Sequence, residues 1–255
     1  MRYAVMSDVH ANPKALETAL ADARRQRCGK FLMLGDTTGY GYGVREALRL
    51  VRSSFDLVLM GNHDSACLGL EPEWVLRNCR NYDVDVAQRR QLSPGDRAWL
   101  AGLPCVGERD GAAFAHGDFV DPKAWRYVYE RRDAVVNFGA RPERLLFCGH
   151  THVAAAWELG EDGETVPKAA FAAPAVKPET RGFRMRKGCR YIVNVGSVGY
   201  PRNDLCLTYA IWDTDTGRIA FRRLPFDFAG YVKAMLDSGV GLPGWLVRIL
   251  LAAKM

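Results

Sequence analysis

The residues able to do chemistry stand directly after short apolar segments of this chain. Five such segments end in a carboxylate, an amide or an imidazole, and three of them reach it through a glycine. The polar ends are Ser7-Asp8-Val9-His10, Gly35-Asp36, Gly61-Asn62-His63-Asp64, His116-Gly117-Asp118 and Gly149-His150-Thr151-His152. They contain all five histidines of the chain. This donor set predicts a site for Mn, Fe, Zn, Co or Ni rather than Ca or Mg, with Mn as first choice.

The number and spacing of these donors predict two metal ions. Asp8 with His10, and His150 with His152, are two residues apart, so in extended backbone each pair points the same way. The candidate ligands, more than one ion needs, are Asp8, His10, Asp36, Asn62, His116, His150 and His152. None is a thiolate, which argues against a structural zinc site. Two ions about 3.5–4 Å apart, bridged by a carboxylate and a hydroxide, are common where phosphorus is attacked.

One histidine remains outside this ligand set. His63 is therefore free to donate a proton to the leaving oxygen of a phosphoester. Asp64, the next residue, is expected to hold the His63 ring and to keep it protonated. We predict that His63 and Asp64 form the catalytic acid of the site.

Buried strands must position these polar ends. The apolar runs predict strands at 3–6, 31–34, 57–60, 112–115 and 145–148. Helical patterns alternate with the first three, which is typical of a mostly parallel α/β sheet. Ligands of such sheets gather beyond the carboxyl ends of the strands, so neighbouring strands would bring the polar ends into one crevice. Asn12 either contacts substrate or only caps the helix that starts at Pro13.

After Thr151 the pattern changes to β-structure, with strands predicted at 153–159, 190–195, 205–213 and 218–224. The stretch 160–189 reads as a long hairpin excursion or loop of one domain that spans residues 1–255. Its basic residues are Lys177, Arg181, Arg184, Arg186, Lys187 and Arg190. They either lie over the crevice and recruit an anionic substrate or belong to a solvated loop, which we favour. Helices are expected near 226–238 and 242–254.

The composition excludes several classes of protein. The 255 residues are 48% hydrophobic and 25% charged, unlike a disordered, collagen-like or coiled-coil chain. A net charge of +6 is too mild to indicate nucleic acid. Seven cysteines without a Cys-x-x-Cys pair indicate reduced thiols. Asp8 comes too early for a signal peptide, and no apolar run approaches the roughly 20 residues of a membrane span, so we expect a cytoplasmic protein.

The ordered motifs over residues 8–152 resemble the full signature of the calcineurin-like metallophosphoesterases. Farther on, the segment from Asn194 to Arg202 resembles the closing segment of the small bacterial and archaeal phosphodiesterase branch. The resemblance implies an α/β fold, a four-layer α/β/β/α sandwich with two mixed β-sheets. It also implies a dinuclear metal centre.

The resemblance assigns a role to each motif residue. It implies that Asp8, His10 and His152 bind the first metal, that Asn62, His116 and His150 bind the second, and that Asp36 bridges both. His63 is then the acid or a phosphate contact, with Asp64 as its partner. The chain departs from the serine/threonine phosphatases and dinucleoside tetraphosphatases in two places. Thr38-Gly39-Tyr40-Gly41 replaces their Asp-Arg-Gly, which carries a phosphate-binding arginine, and Asp64 replaces their Glu.

These patterns predict a metal-dependent phosphoric ester hydrolase, a phosphodiesterase or phosphatase. A metal-bridging hydroxide would attack phosphorus in line, and His63 would protonate the leaving group. The expected partner is a small phosphorylated substrate, without a stable nucleic-acid partner. Two alternatives stay open: a non-catalytic scaffold, as in the retromer subunit of this superfamily, and a nuclease. The apolar segment 242–254 is expected to pack on its own domain, with a homodimer contact second and a membrane-surface helix third.

Overall fold

Strands and short helices alternate along the computed structural model, which describes residues 1–71, 82–170, 178–202, 206–237 and 239. The strands are β1 (Arg2–Met6), β2 (Lys30–Met33), β3 (Leu57–Val58), β4 (Val106–Arg109), β5 (Ala112–Ala115), β6 (Leu145–Cys148), β7 (Ala155–Leu159), β8 (Thr165–Ala170), β9 (Glu179–Arg184), β10 (Arg190–Asn194), β11 (Cys206–Asp213) and β12 (Arg218–Pro225). The helices are α1 (Pro13–Arg25), α2 (Val44–Ser54), α3 (Asn62–Leu68), α4 (Tyr82–Gln91), α5 (Pro94–Ala101), α6 (Arg131–Ala140) and α7 (Phe228–Asp237), with a 3₁₀ turn at Pro122–Ala124.

The strands form two mixed sheets of six strands each. The first has the order β3-β2-β1-β11-β12-β9, and the second has the order β4-β5-β6-β10-β7-β8. In the first sheet β1, β2 and β3 are parallel, and in the second β5, β6 and β10 are parallel. The remaining neighbouring pairs, which involve β4, β7, β8, β9, β11 and β12, are antiparallel.

The two sheets pack face to face through large apolar side chains. Phe114 of the second sheet stacks on Phe147 with ring centroids 5.3 Å apart, and Phe147 lies 5.7 Å from Trp212 of the first sheet. Helices cover both outer faces: Leu16 of α1 packs on the first sheet, and Phe138 of α6 packs on the second. These contacts confirm the four-layer α/β/β/α arrangement.

The first strand and helix show why these residues form these elements. Val5 of β1 faces the core between the sheets, whereas Met6 faces the core under α1. Both faces of β1 are thus covered, which explains a continuous apolar run rather than an alternating pattern. Helix α1 begins at Pro13, and the side chain of Asn12 caps it by accepting a hydrogen bond from the Ala15 N–H at 3.1 Å.

The stretch 160–189 differs from the hairpin that the sequence predicts. Strand β8 pairs with β7 at the edge of the second sheet, and β9 pairs with β12 at the edge of the first. The segment therefore passes from one sheet to the other, and its two strands have different partners. The hairpin prediction was wrong because a local pattern does not show which distant edge a strand joins.

The basic residues at the end of this stretch lie away from the polar strand ends. Arg184 pairs in register with Arg218 at the start of β12, and Arg190 begins β10, whose carboxyl end is level with that of β6. Arg186 forms an ion pair with Glu158. These three arginines thus do not cover the crevice. Lys177 lies outside the described residues.

At the carboxyl end of the chain, α7 matches the helix expected near 226–238. The predicted helix at 242–254 lies outside the described residues. Within the described ranges, no helix is both long enough and apolar enough to cross a bilayer.

Candidate metal centre

Both sheets contribute strand ends to one crevice. Asp8 follows β1, Asp36 follows β2 and Asn62 follows β3, while His116 follows β5 and His150 follows β6. The first three strands belong to one sheet and the other two to the second, so the five strands are not neighbours within a single sheet. The crevice nevertheless forms, because the parallel strands of the stacked sheets end at the same side of the sandwich.

The backbone at these strand ends adopts a strained conformation. Five candidate ligands have positive φ angles: Asp8 (58°), His10 (49°), Asp36 (54°), His150 (67°) and His152 (61°). Such residues cost of order 1–3 kcal/mol each, and they collect at functional sites where the surrounding structure enforces them. The expectation that the two-residue spacing acts in extended backbone was therefore wrong. The side chains of each pair converge through left-handed turns instead.

The first group of candidate ligands contains Asp8, His10, Asp36 and His152, all buried. The Nε2 atoms of His10 and His152 are 3.0 Å apart, and His152 Nε2 is 3.1 Å from Asp8 Oδ1. His10 Nε2 also lies 3.7 Å from Asp36 Oδ2. One ligand atom from each of the four residues falls within 4.8 Å of the others, so a single ion can contact all four.

The second group contains Asp36, His116 and His150, and it shares Asp36 with the first. His116 Nε2 lies 3.2 Å from Asp36 Oδ2 and 3.1 Å from His150 Nδ1. The Asn62 Oδ1 atom is 3.1 Å from the same His116 nitrogen. The structure thus brings all seven candidate ligands together, in two groups that meet at Asp36.

Backbone carbonyls fix the orientation of the four histidines in these groups. Each ring has one nitrogen against a carbonyl oxygen, and that nitrogen must donate because a carbonyl can only accept. The contacts are His10 Nδ1 to Thr38 O (3.0 Å), His116 Nδ1 to Leu34 O (3.0 Å), His150 Nε2 to Trp125 O (2.8 Å) and His152 Nδ1 to Tyr200 O (2.6 Å). The other nitrogen of each ring therefore faces the centre, as in metal-binding histidines held by an outer hydrogen bond.

Two buried carboxylate oxygens test whether this site suits a cation. Asp8 Oδ2 accepts a hydrogen bond from His150 N at 3.0 Å, and Asp36 Oδ1 accepts one from His63 N at 2.8 Å. Among the described residues, the second oxygen of each, Asp8 Oδ1 and Asp36 Oδ2, is buried without a hydrogen-bond partner. Buried carboxylates are costly unless they are paired or bind a metal. The donor set and these two oxygens fit divalent cations.

Protonation of the cluster follows from burial and from the two carboxylates. Burial lowers the pKa of His10 and of His150 to about 3, so both rings are neutral at pH 7 and have a lone pair to offer. Burial alone would also lower the pKa of His116, but the charge of Asp36 outweighs it and raises that pKa to about 9. Burial alone would raise the pKa of Asp36, yet the adjacent His116 and His63 hold it well below the usual range.

Comparison with known proteins identifies the family. A model of the calcineurin-like phosphoesterase superfamily domain matches residues 1–217. The chain belongs to the calcineurin-like phosphoesterase superfamily. A metallophosphoesterase from Sphaerobacter thermophilus superposes with a TM-score of 0.79 at 34% identity, over 97% of both chains. A hypothetical protein from Pyrococcus horikoshii OT3 shares the fold, with a TM-score of 0.71 and 16% identity over 98% of this chain and 97% of the other.

Sequence comparison with curated proteins gives a relative that matches over most of both chains. An uncharacterized protein of Methanocaldococcus jannaschii is 27% identical over 258 residues, which cover 95% of this chain and 94% of that protein. Membership in the calcineurin-like phosphoesterase superfamily indicates a hydrolase. The two groups of buried ligands give this phosphoesterase a place where metal ions can bind.

His63 lies beside the ligand cluster, but its side chain does not contact Asp64, the partner that the sequence predicts. The Nδ1 atom of His63 lies 3.3 Å from Asp85 Oδ1, on helix α4. Asp64 instead accepts hydrogen bonds from the backbone N–H groups of Gly61 (3.1 Å) and Thr38 (3.0 Å). The pairing of His63 with Asp64 was therefore wrong. Asp64 caps the start of α3 and ties it to the loop after β2, because its carboxylate points back along the chain.

Charges near these two side chains shift their pKa values upward. Burial would lower the pKa of His63, but the carboxylates of Asp36 and Asp85 together raise it. Burial and the charge of Asp36 raise the pKa of Asp64 to about 6. The carboxylates of Asp36 and Asp85 thus favour the protonated form of His63.

Helix α4 supplies two residues that the sequence analysis missed. Asp85 contacts His63, and Gln88 accepts a hydrogen bond from Gly39 N at 2.8 Å and donates one to Gly41 O at 2.7 Å. Both side chains are buried, as is Leu92 farther along. The spacing of these three residues marks one face of a helix. The signal was present as two polar residues on an apolar face, but the sequence does not show which face is buried.

Asn12 serves as a helix cap, which is the second of the two roles that the sequence predicts for it. The residue is completely buried, its Oδ1 atom caps α1, and its Nδ2 atom donates to Gly199 O at 3.2 Å. Both polar atoms therefore hold the protein together. We do not retain the assignment of Asn12 as a substrate contact.

Proposed function

We propose that this protein is a metal-dependent phosphoesterase that hydrolyses phosphodiester bonds, or phosphomonoester bonds, with two divalent ions. The observation that carries the proposal is the shared position of Asp36, which belongs to both groups of buried ligands. One carboxylate between two sets of histidines is the arrangement expected of a dinuclear centre that acts on phosphorus.

The ligand sets suggest how the residues divide between the two ions. Asp8, His10 and His152 would hold one ion, Asn62, His116 and His150 the other, and Asp36 both. Mn is the first choice, with Fe, Zn, Ni or Co as alternatives. When bound, two such ions supply an acidified water as nucleophile and positive charge that neutralises the phosphoryl oxygens. The chain's part is to hold the imidazoles and the ionised carboxylates in place before the substrate arrives.

His63 supplies the proton in this proposal. Asp85 engages its Nδ1 atom, so Nε2 is the nitrogen that can hand a proton to the leaving oxygen. The carboxylates of Asp36 and Asp85 raise the pKa of the ring, although burial opposes them, and so keep the proton available. This pair also argues against a non-catalytic scaffold, which has no need of a buried histidine–carboxylate pair beside its ligands.

The proposed setting is the reducing cytoplasm. Cys28, Cys67, Cys105, Cys148 and Cys189 are free thiols, and all of these but Cys105 are buried. Free thiols persist where glutathione and thioredoxin keep them reduced.

The test is hydrolysis of bis(p-nitrophenyl) phosphate and of p-nitrophenyl phosphate by protein that has been stripped of metal and then reloaded with Mn, Fe, Zn, Ni or Co. We expect metal-dependent release of p-nitrophenolate, and two ions per chain by elemental analysis. D36N should lose both metal and activity. D215N is the matched control, because the exposed Asp215 pairs with the amino terminus and with the Thr214 hydroxyl, far from the crevice.

Three outcomes of this assay separate the candidate functions. Binding of two ions without turnover of any ester would support the scaffold. Cleavage of DNA or RNA without cleavage of small diesters would support the nuclease. Retention of full activity by D36N would contradict the dinuclear proposal itself.

A further inference from the structure

An open pocket of about 340 Å³ lies beside the ligand cluster. Its lining residues are Tyr127, Tyr129, Thr151, Val153 and Arg202. Pockets of roughly 300–1,000 Å³ are the usual size for sites that bind small molecules. The volume therefore suits an organic group in addition to a phosphate.

The pocket and the metal ligands share a wall. The Tyr127 ring stacks on the His150 imidazole, with centroids 4.3 Å apart and planes 21° apart. Thr151 stands between His150 and His152 in the chain. Arg202 follows Tyr200, whose carbonyl accepts the hydrogen bond from His152. A group in this pocket thus lies next to a phosphate held at the ligand cluster.

The lining combines aromatic surface with a cation. Tyr127 and Tyr129 are 48% and 57% exposed, which leaves large parts of both side chains open to a ligand. The Arg202 guanidinium lies 5.9 Å from the centroid of the Tyr127 ring, and its Nη1 atom is 3.5 Å from the Tyr127 hydroxyl. Aromatic rings and arginine planes bind flat π-systems, and arginine also binds phosphate.

We propose that this pocket binds the organic part of the substrate, and that this part is a planar aromatic group, a nucleobase or an aryl ring. Tyr127 and Tyr129 contact the ring, and Arg202 contacts the phosphate or the ring face. The proposal rests on the proposed phosphoesterase function and names its substrate class. It also provides a cation for the substrate in a chain whose loop at Thr38-Gly39-Tyr40-Gly41 contains no arginine.

The experiment measures binding rather than turnover. Methylphosphonate and phenylphosphonate are titrated into the Mn-loaded protein by calorimetry, because their P–C bonds resist hydrolysis. We expect phenylphosphonate to bind about tenfold more tightly, as one stacked ring contributes roughly that much. The methylenephosphonate analogue of thymidine 5′-monophosphate, whose P–C bond also resists hydrolysis, forms the third arm. Tighter binding of this nucleotide than of phenylphosphonate identifies a nucleobase as the natural group, and weaker binding identifies an aryl ring.

Variants locate the preference in the pocket. Y129A should bring the phenyl-to-methyl ratio of affinities close to one, and R202M should weaken both phosphonates about tenfold. R218M is the matched control and should leave both affinities unchanged. Arg218 is exposed at the start of β12, the end of that strand that lies away from the crevice. Metal content by elemental analysis and circular dichroism check that each variant is intact.

Two results would overturn the proposal, and the first does not depend on any variant folding. One is equal affinity of wild-type protein for all three ligands. The other is a preference for the aromatic ligands that survives undiminished in folded, metal-loaded Y129A. Absence of hydrolysis of every ester tested would instead contradict the proposed phosphoesterase function. Failure of the pocket proposal and failure of the proposed function are therefore distinguishable.

Discussion

The Nδ1 atom of His63 lies 3.3 Å from Oδ1 of Asp85, a carboxylate on a different helix. The four histidines of the ligand groups place their second nitrogen against a backbone carbonyl, whereas His63 places its own against a carboxylate. A carbonyl fixes the tautomer whose other nitrogen can face a metal, and a carboxylate favours the protonated ring that an acid requires. This difference in partner separates the proposed acid from the proposed ligands.

Substitution H63N should lower turnover by roughly 10²–10⁴, the usual contribution of acid–base catalysis. Metal content should stay at the wild-type value, because His63 is not among the clustered ligands. Rate measurements on a diester, with elemental analysis of the same sample, check both statements. Wild-type turnover in H63N would rule out His63 as the acid.

Substitution D85N should lower turnover about ten- to a hundredfold, less than loss of the acid itself. Removal of the Asp85 charge lowers the pKa of His63, so the loss of activity at high pH should begin at a lower pH than in wild type. A rate–pH profile measures this shift, which a purely structural change would not produce. D83N, at an exposed position of the same helix, is the control and should keep the wild-type profile.

Much of the site could be predicted from the sequence because it depends on strand ends. Each buried strand is a continuous apolar run, so the polar residue that follows, such as Asp36 or His116, stands out. The two parts that failed depend on contacts between distant segments. Asp85 reaches His63 only through the packing of α4, and β9 joins β12 rather than β8.

The spacing of residues in the sequence also could not predict the backbone conformation of the turns that hold the ligands. The two-residue interval between Asp8 and His10 correctly places both in one cluster, yet the backbone there is left-handed rather than extended. Local preference disfavours that conformation for residues other than glycine. The tertiary structure enforces it through backbone hydrogen bonds such as His10 N to Asp36 O, at 2.9 Å.

Substitution G39A should disturb His63 without removing a ligand. A Cβ atom at Gly39 would lie 2.6 Å from His63 Nδ1, and the φ angle of +88° disfavours any side chain there. We expect lower turnover at near-normal metal content, and a loss of more than about 1 kcal/mol in the free energy of unfolding. G111A is the control, because Gly111 also has a positive φ but no heavy atom lies within 4 Å of a Cβ placed there. Equal turnover in the two variants would show that contact with His63 is unimportant.

A buried ion pair away from the site should govern acid stability. Both oxygens of Asp22 accept hydrogen bonds from Arg222, each at 2.8 Å, and Tyr209 donates a third at 2.8 Å. Burial alone would raise the pKa of Asp22, but these partners lower it. The stabilisation is therefore complete above the unfolded-state pKa of about 3.9 and is lost as pH falls through the lower, folded-state value.

Substitution D22N removes one partner of this pair and should cost about 3–5 kcal/mol at pH 7. Chemical denaturation at pH 7 and at pH 3 measures the difference between wild type and variant, which should shrink at the lower pH. A difference that stays constant between the two pH values would contradict the assigned role of the Asp22 charge.

Removal of metal should destabilise the fold, and each ligand group should account for part of the lost stability. Asp8 and Asp36 each bury an oxygen that has no hydrogen-bond partner among the described residues, so a bound cation stabilises the native state. Treatment with chelator should lower Tm, and added Mn should restore it. N62A, which removes a ligand of the second group alone, should bind about one ion and regain part of the increase in Tm on addition of Mn. D36N, which alters the ligand common to both groups, should recover none of it. Identical recovery in N62A and D36N would mean that Asp36 does not join two sites.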